Sequence, residues 1–215
     1  MMNNNHLLDR MVSSGIVAVI RKVDPEKVKP LVEAFIDGGV TGIEITMDSE
    51  VPLQVIAEVK EEFGDKAVIG AGTVMNKEEA EMAISAGADF IFAPILSKET
   101  VEYTKEQDVI MIPGVFTPTE MYLADQWGAD MVKIFPANVL GPKFLKDVSG
   151  PLSHIQMMPT GGVNLENVHS FMEAGAVAAG IGGSLVHRSL IEQEDWSALQ
   201  ELAKKYVEKA GLVKV

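Results

Sequence analysis

The sequence predicts a (β/α)8 barrel with a short N-terminal helix, a single domain over residues 1–215. Three observations point there. Short runs rich in Val and Ile alternate with longer stretches of helical period, the pattern of buried parallel strands joined by helices. The alternation makes eight strand–helix units, with only a short N-terminal segment left over. Four segments, "IDGGVTGIEIT", "ISAGADFIFAP", "QWGADMVKIFP" and "EAGAVAAGIGG", each read as a helix end, a glycine turn and a strand. Their glycines, Gly39, Gly87, Gly128 and Gly175, fall 48, 41 and 47 residues apart. That spacing holds two βα units per repeat, so these are the even-numbered strands. A doubly wound open sheet would carry a Gly-rich fingerprint after its first strand, and "VIRKVDPEK" has none.

In order, strands are expected at 16–21, 42–46, 67–72, 89–93, 109–112, 130–135, 155–159 and 176–181. The helices between them have recognisable starts. "DPEKVKPLVEAFIDGG" opens on Asp-Pro and Glu and closes on Gly-Gly. "NKEEAEMAISAG" takes Asn76 as cap, has glutamates in its first turn and stops at Gly87. "TPTEMYLADQWG" offers Thr117 as cap, Pro118 at the first helical position and Glu120 as capping-box partner.

Composition narrows the function classes. Hydrophobic residues make up 47% and charged residues 23%, an ordinary globular balance. A net charge of −13 argues against nucleic acid or an anionic membrane surface as partner, since both need clustered cations. An anionic small molecule responds to a local field and stays open. Without cysteine, disulfides and thiolate metal sites are impossible. No signal-peptide pattern or apolar span is read, so a cytoplasmic protein without membrane partners is expected.

"ADMVKIFPAN" places Lys133 inside an apolar strand, where a lysine must be displaced to the surface, paired or used for chemistry. Strand side chains alternate between barrel interior and helix layer. Met131, Lys133 and Phe135 share one face, and the β-branched Val132 and Ile134 suit the face under the helices. Lys133 therefore points inward. The same parity puts Ile43 and Ile45 outward and Glu44 inward with Thr46. Arg21 follows Val17 and Val19, Thr73 ends the third strand and Thr160 the seventh. Polar groups from five strands thus gather at the C-terminal mouth, where sites in such barrels lie. A buried Lys133–Glu44 salt bridge that merely fills the barrel is the structural alternative; convergence on one rim favours chemistry. Burial lowers a lysine's pKa in general, and only the neutral amine attacks a carbonyl; a nearby carboxylate works the other way and can shuttle protons.

"PTGGVNLENV" and "GIGGSLV" are Gly-rich turns after the seventh and eighth strands, the two loops that commonly bind phosphate through backbone N–H groups in these barrels. His6, His154, His169 and His187 are scattered without HxH or HExxH spacing, so no metal site and no cofactor are expected. "IGAGTV" reads as a strand whose glycines leave room in the mouth, and the methionines as core filler.

The ordered set "GGVTGIEIT", "IGAGTV", "FIFAP", "IPGVFTPTE", "VKIFPAN", "MPTGGVN" and "GIGGS" covers nearly the whole chain and resembles the KDPG/KHG aldolase family, which acts on 2-keto-3-deoxy-6-phosphogluconate (KDPG) and 4-hydroxy-2-oxoglutarate (KHG). The resemblance implies a metal-free class I aldolase with a (β/α)8 fold, usually a homotrimer, whose small-molecule partners are a phosphorylated 2-keto-3-deoxy sugar acid and pyruvate. It implies Lys133 as Schiff-base lysine and Glu44 as general acid/base. Thr73 would contact the pyruvyl carboxylate, Pro94 and Phe135 would line the pocket, and Thr160 would meet substrate hydroxyls. Gly161, Gly162, Gly182, Gly183 and Ser184 would cradle phosphate.

Two positions depart from the family pattern. "EITMDS" carries Asp48 where well-known members have a carboxylate-binding arginine; an aspartate there would repel a carboxylate, so Arg21 is expected to take over. Asn138 stands where Glu is frequent. The "KIFP" and "GP" (141–142) segments and Arg21 are shared with the branch acting on the galactonate epimer, but that branch tends to have Val where Thr160 stands, which leans toward the gluconate. The rival readings are a phosphosugar epimerase or isomerase, which needs no inward lysine, and a non-catalytic sugar-phosphate-binding barrel.

Overall fold

The computed structural model describes residues 4–211. Within them the chain alternates strands and helices: α1 (Asn4–Val12), β1 (Ile16–Ile20), α2 (Pro25–Asp37), β2 (Gly42–Thr46), α3 (Pro52–Phe63), β3 (Val68–Gly72), α4 (Lys77–Ser85), β4 (Phe90–Phe92) and α5 (Lys98–Glu106). There follow β5 (Ile110–Ile112), β6 (Gly114–Val115), α6 (Pro118–Gln126), β7 (Val132–Ile134), α7 (Ala137–Val148) and β8 (Met157–Pro159), then α8 (Val168–Glu173), β9 (Ala179–Ile181), α9 (Arg188–Glu192) and α10 (Trp196–Gly211). No described helix is long and apolar enough to cross a membrane.

All strand pairs are parallel. A curled six-stranded sheet runs β5-β4-β3-β2-β1-β9, and a three-stranded sheet runs β6-β7-β8. One sheet of eight was expected; the ladder divides instead. Pro113 separates β5 from β6, because a residue without an N–H interrupts a ladder. Backbone bonds still pass both seams. Thr160, just past β8, bridges Gly180 of β9, Asp130 N–H donates to Met111 O at 3.0 Å, and Lys133 N–H donates to Pro113 O at 2.9 Å.

Strand parity sorts the apolar residues into two layers. Val17, Val68, Phe90, Phe92, Ile110, Ile112, Met131 and Met158 pack with one another inside the curve of the strands. Ile16, Ala18, Ile20, Ile43, Ile45, Val132 and Ile134 pack outward against the helices. Met11 of α1 joins the inner layer, and a side chain on Gly42, at the start of β2, would lie 2.9 Å from its Cγ. The N-terminal helix thus closes the end where the strands begin, and the opposite end stays open.

The helix starts match their sequence signals. Asp24 accepts from Glu26 N–H, Asn76 from Glu79 N–H, and Thr117 with Glu120 forms a complete capping box. The repeat has a backbone meaning too: Gly39, Gly87, Gly128 and Gly175 have φ of 93°, 96°, 90° and 101°, the left-handed region that glycine enters without strain. A second repeated device was not legible beforehand. Lys60 Nζ lies 2.7 Å from both oxygens of Asp89, which also accepts Ile69 N–H; Lys105 Nζ lies 2.7 Å from both oxygens of Asp130, which accepts Met111 N–H. Each aspartate thereby ties a helix to the edge of a strand. Asp130 spends its side chain on this tie, and β7 starts only at Val132 although a strand was expected from 130.

Candidate active site

At the open end, a cavity of about 540 Å³ collects all twelve residues singled out in the sequence. Strands and the loops just beyond them deliver these side chains. Lys133 comes from the middle of β7 and Glu44 from the middle of β2, both facing inward, 5% and 1% exposed. Their nearest atoms, Nζ and Oε1, are 3.9 Å apart. The lysine nitrogen also lies over the rings of Phe92 and Phe135, 5.4 and 5.5 Å from their centroids.

The carboxylate of Glu44 occupies space that a neighbour leaves free. A side chain on Gly72 of β3 would collide with Glu44 Oε1, so this glycine has no workable replacement without moving the acid. Gly114 does the same for the pocket wall, where the Pro94 backbone comes too close for any side chain. Neither oxygen of Glu44 has a hydrogen-bond partner among the described residues. Burial pushes its pKa above the ordinary carboxylate range, and the positive charges of Lys133 and Arg21 only partly oppose that.

A second set of groups lies beyond the ends of β1, β2 and β3. Arg21 Nη2 donates to Thr73 Oγ1 at 2.7 Å, and Arg21 Nε lies 3.3 Å from Asp48 Oδ1. Asp48 was expected to repel an anion here; its charge is instead matched by Arg21 and by Lys22, whose Nζ is 3.5 Å away. Partial burial raises the Asp48 pKa, but the Thr46 hydroxyl, Arg21 and Lys22 together hold it below the usual carboxylate range. Lys22 lines the cavity and was not foreseen. It follows the strand, with φ of 51°, and nothing in the local pattern announces that turn.

The third wall is built from the loops after β8 and β9. Gly161 and Gly162 have φ of 92° and 75°; a side chain on Gly161 would crowd Phe135, and one on Gly162 would strike Asn138. Asn138 therefore packs directly on the glycine turn. Asn167 shapes the same turn, donating to Gly162 O at 3.0 Å and accepting Asn164 N–H at 2.8 Å. Asn164 and Val186 line the cavity and were not singled out beforehand, although both sit inside the glycine-rich segments. Gly182 and Gly183 face open space, with nothing within 4 Å of where a side chain would begin. Ser184 reaches the cavity, but its hydroxyl donates to Val163 O at 2.9 Å. Thr160 Oγ1 is buried beside Gly180 and unpartnered.

The arrangement brings together an amine and a buried carboxyl, a guanidinium on one side and a glycine cradle on the other. Among the described residues no group of three or more acidic or histidine side chains is placed to hold a metal ion.

Comparison with known proteins agrees in kind. The family model for KDPG and KHG aldolase matches residues 8–202. The KHG/KDPG aldolase of Escherichia coli is 33% identical over 198 residues, 91% of this chain and 91% of that protein. The 2-dehydro-3-deoxy-6-phosphogalactonate aldolase of the same organism is also 33% identical, over 171 residues, 79% of this chain and 83% of the relative. The crystal structure of KDPG aldolase from Legionella pneumophila, with pyruvate captured at low pH as a covalent carbinolamine intermediate, superposes with a TM-score of 0.86 at 27% identity, covering 95% of this chain and 97% of that one.

Proposed function

The chain belongs to the KDPG and KHG aldolase family, and we propose that it cleaves 2-keto-3-deoxy-6-phosphogluconate to pyruvate and glyceraldehyde 3-phosphate through an imine on Lys133. The observation that carries this reading is the inward amine of Lys133 beside a carboxylate whose oxygens have no other partner, in the cavity that also holds the glycine turns.

The Lys133 amine adds to the C2 ketone, giving a carbinolamine. Glu44 protonates its hydroxyl, water leaves and a protonated imine remains. Glu44, directly or through a water, takes the proton of the C4 hydroxyl. The C3–C4 bond breaks, its electron pair moves into the iminium to give an enamine, and the aldehyde departs. Glu44 returns its proton to C3, and hydrolysis of the new imine frees pyruvate and the amine. Burial suits Glu44 to this work, because a pKa raised above the ordinary carboxylate range makes its carboxyl a readier keeper of a proton and its carboxylate a stronger base. Arg21 and Thr73 bind the pyruvyl carboxylate, and Pro94 and Phe135 shape the pocket. Thr160 meets a substrate hydroxyl. Gly161, Gly162, Gly182, Gly183 and Ser184 hold the phosphate, the Ser184 hydroxyl turning from Val163 as it binds. Capture of pyruvate as a carbinolamine in the Legionella enzyme supports the covalent route.

The galactonate epimer is the second reading, favoured by the equal identity of the E. coli phosphogalactonate aldolase. Thr160, whose hydroxyl is free to bond a substrate oxygen, supports the gluconate. 4-Hydroxy-2-oxoglutarate, cleaved to pyruvate and glyoxylate, is a further substrate of the same chemistry.

We also infer that the two ladders are one closed (β/α)8 barrel forming a single domain, supported by the backbone bonds across both seams. A homotrimer is supported by the exposed apolar side chains of Met75, Ile95 and Phe116, in the segments after β3, β4 and β6, which a second copy could cover. A charged sugar phosphate does not cross a bilayer unaided, which supports a cytoplasmic location.

The test is reductive trapping. Incubation with pyruvate and borohydride, followed by mass measurement, should add one pyruvyl group to the wild type and none to Lys133→Ala. No adduct in the wild type, or the same adduct in the variant, defeats the reading.

A further inference from the structure

Asp48 stands just past β2, beside the part of the cavity wall that Arg21 and Lys22 make. It touches two cations: Oδ1 lies 3.3 Å from Arg21 Nε, and Oδ2 lies 3.5 Å from Lys22 Nζ. Arg21 is held at its other end by Thr73, to which Nη2 donates at 2.7 Å. A guanidinium is planar, so two fixed points on it set its plane as well as its place. The rest of its N–H fork remains for a ligand in the cavity that Arg21 lines.

The loop that carries Asp48 is itself anchored. Thr46 Oγ1 pairs with Ser49 Oγ at 3.0 Å, and Ser49 Oγ accepts the Lys22 backbone N–H at 2.9 Å. The loops after β1 and β2 are therefore tied together, with Asp48 at the joint.

We propose that Asp48 is a positioning residue: it aims the Arg21 guanidinium at the carboxylate of a 2-keto acid substrate, a role that rests on the Schiff-base reading given above. Two effects of the aspartate oppose each other, and their signs differ. By charge alone it repels an incoming carboxylate, so removing it should tighten binding. By geometry it holds a long side chain that is 53% exposed and otherwise free to sample many rotamers. Loss of that hold makes the substrate order Arg21 itself and weakens binding. The geometric effect dominates, because Lys22 already offsets the aspartate's charge.

The experiment measures borohydride trapping as a function of pyruvate concentration for wild type, Asp48→Asn, Arg21→Ala and the double variant. In Asp48→Asn the half-saturating pyruvate should rise about three- to five-fold, the scale of a half-exposed charged contact, with maximal trapping and melting temperature close to wild type. Asp48→Ala, which leaves no acceptor beside Arg21 Nε, should raise the half-saturating pyruvate at least as far. Arg21→Ala should raise half-saturation further, and adding Asp48→Asn to it should change nothing, since Asp48 acts through Arg21. Unchanged or tighter pyruvate saturation in Asp48→Asn overturns the inference, as does an equal shift in the Arg21→Ala background. A wild type that forms no adduct at any pyruvate concentration removes the aldolase reading, and this inference with it.

Discussion

Lys133 Nζ and Glu44 Oε1 stand 3.9 Å apart, near enough to feel each other's charge and too far to share a hydrogen bond. A salt bridge that served only to fill the interior would close that gap and satisfy the carboxylate. Here both Glu44 oxygens are buried without a partner, and leaving buried charged groups under-bonded costs stability. The fold tolerates that cost where a substrate carbonyl and a water would complete the network.

Room for the acid depends on one missing side chain. Gly72→Ala places a methyl group where Glu44 Oε1 sits, so the carboxylate must move or β3 must shift. The expected result is a fall in kcat of about a hundred-fold, the lower end of what a displaced general acid/base costs, with pyruvate trapping slowed in parallel. Steady-state cleavage assays on the variant decide it; an activity near wild type means the acid has another place to stand.

The raised pKa of Glu44 sets the pH behaviour. In the fold this carboxyl holds its proton above the pH at which it is lost when unfolded, near the ordinary value of 4.5. The folded state therefore binds more protons over that window, and the group's contribution to stability falls as pH rises through it. Melting temperatures of Glu44→Gln and wild type should diverge in the variant's favour as pH increases from about 4.5 upward. The acid limb of kcat/KM should lie above the usual carboxylate range in the wild type and vanish in the variant. A constant difference in melting temperature across pH would contradict the assignment.

Thr160 separates stability from specificity. Its hydroxyl is buried and unpaired in the free site, so Thr160→Val should stabilise the protein by about 1 kcal/mol. The same change removes a donor and acceptor for a substrate hydroxyl. Cleavage of the gluconate epimer should drop relative to the galactonate epimer, measured as the ratio of kcat/KM values. A variant that is more stable with an unchanged ratio would show that Thr160 does not read the sugar.

The lysine–aspartate ties make a purely structural prediction. Asp130 pairs with Lys105 and also accepts the Met111 N–H at 2.8 Å, with both side chains largely buried. Asp130→Asn should cost about 2 kcal/mol in chemical denaturation, because a charge-assisted bond is lost at a buried position. Pyruvate trapping at saturation should remain, since the tie lies away from the cavity.

Much of this protein was determined by its sequence alone, and the reason is periodicity. Alternation along a strand decides facing locally, so "VKI" and "GIEIT" already turned Lys133 and Glu44 inward, and the packing layers agree. The four repeated glycine turns recur because their backbone, with φ of 90° to 101°, favours glycine, a requirement a single residue meets without knowledge of its distant neighbours. Contacts between distant segments were decided only by the tertiary structure. Pro113 breaks a strand that its neighbours must then pair around. Gly72 makes room for an acid from another strand, and Asp48, whose charge by itself suggested repulsion, meets Arg21 and Lys22 across two loops. Lys22 and Thr73 adopt φ of 51° and 57°, conformations that side-chain identity disfavours and that surrounding contacts impose. Facing is a local property of the backbone; proximity between chain segments exists only once the parallel strands have curled together.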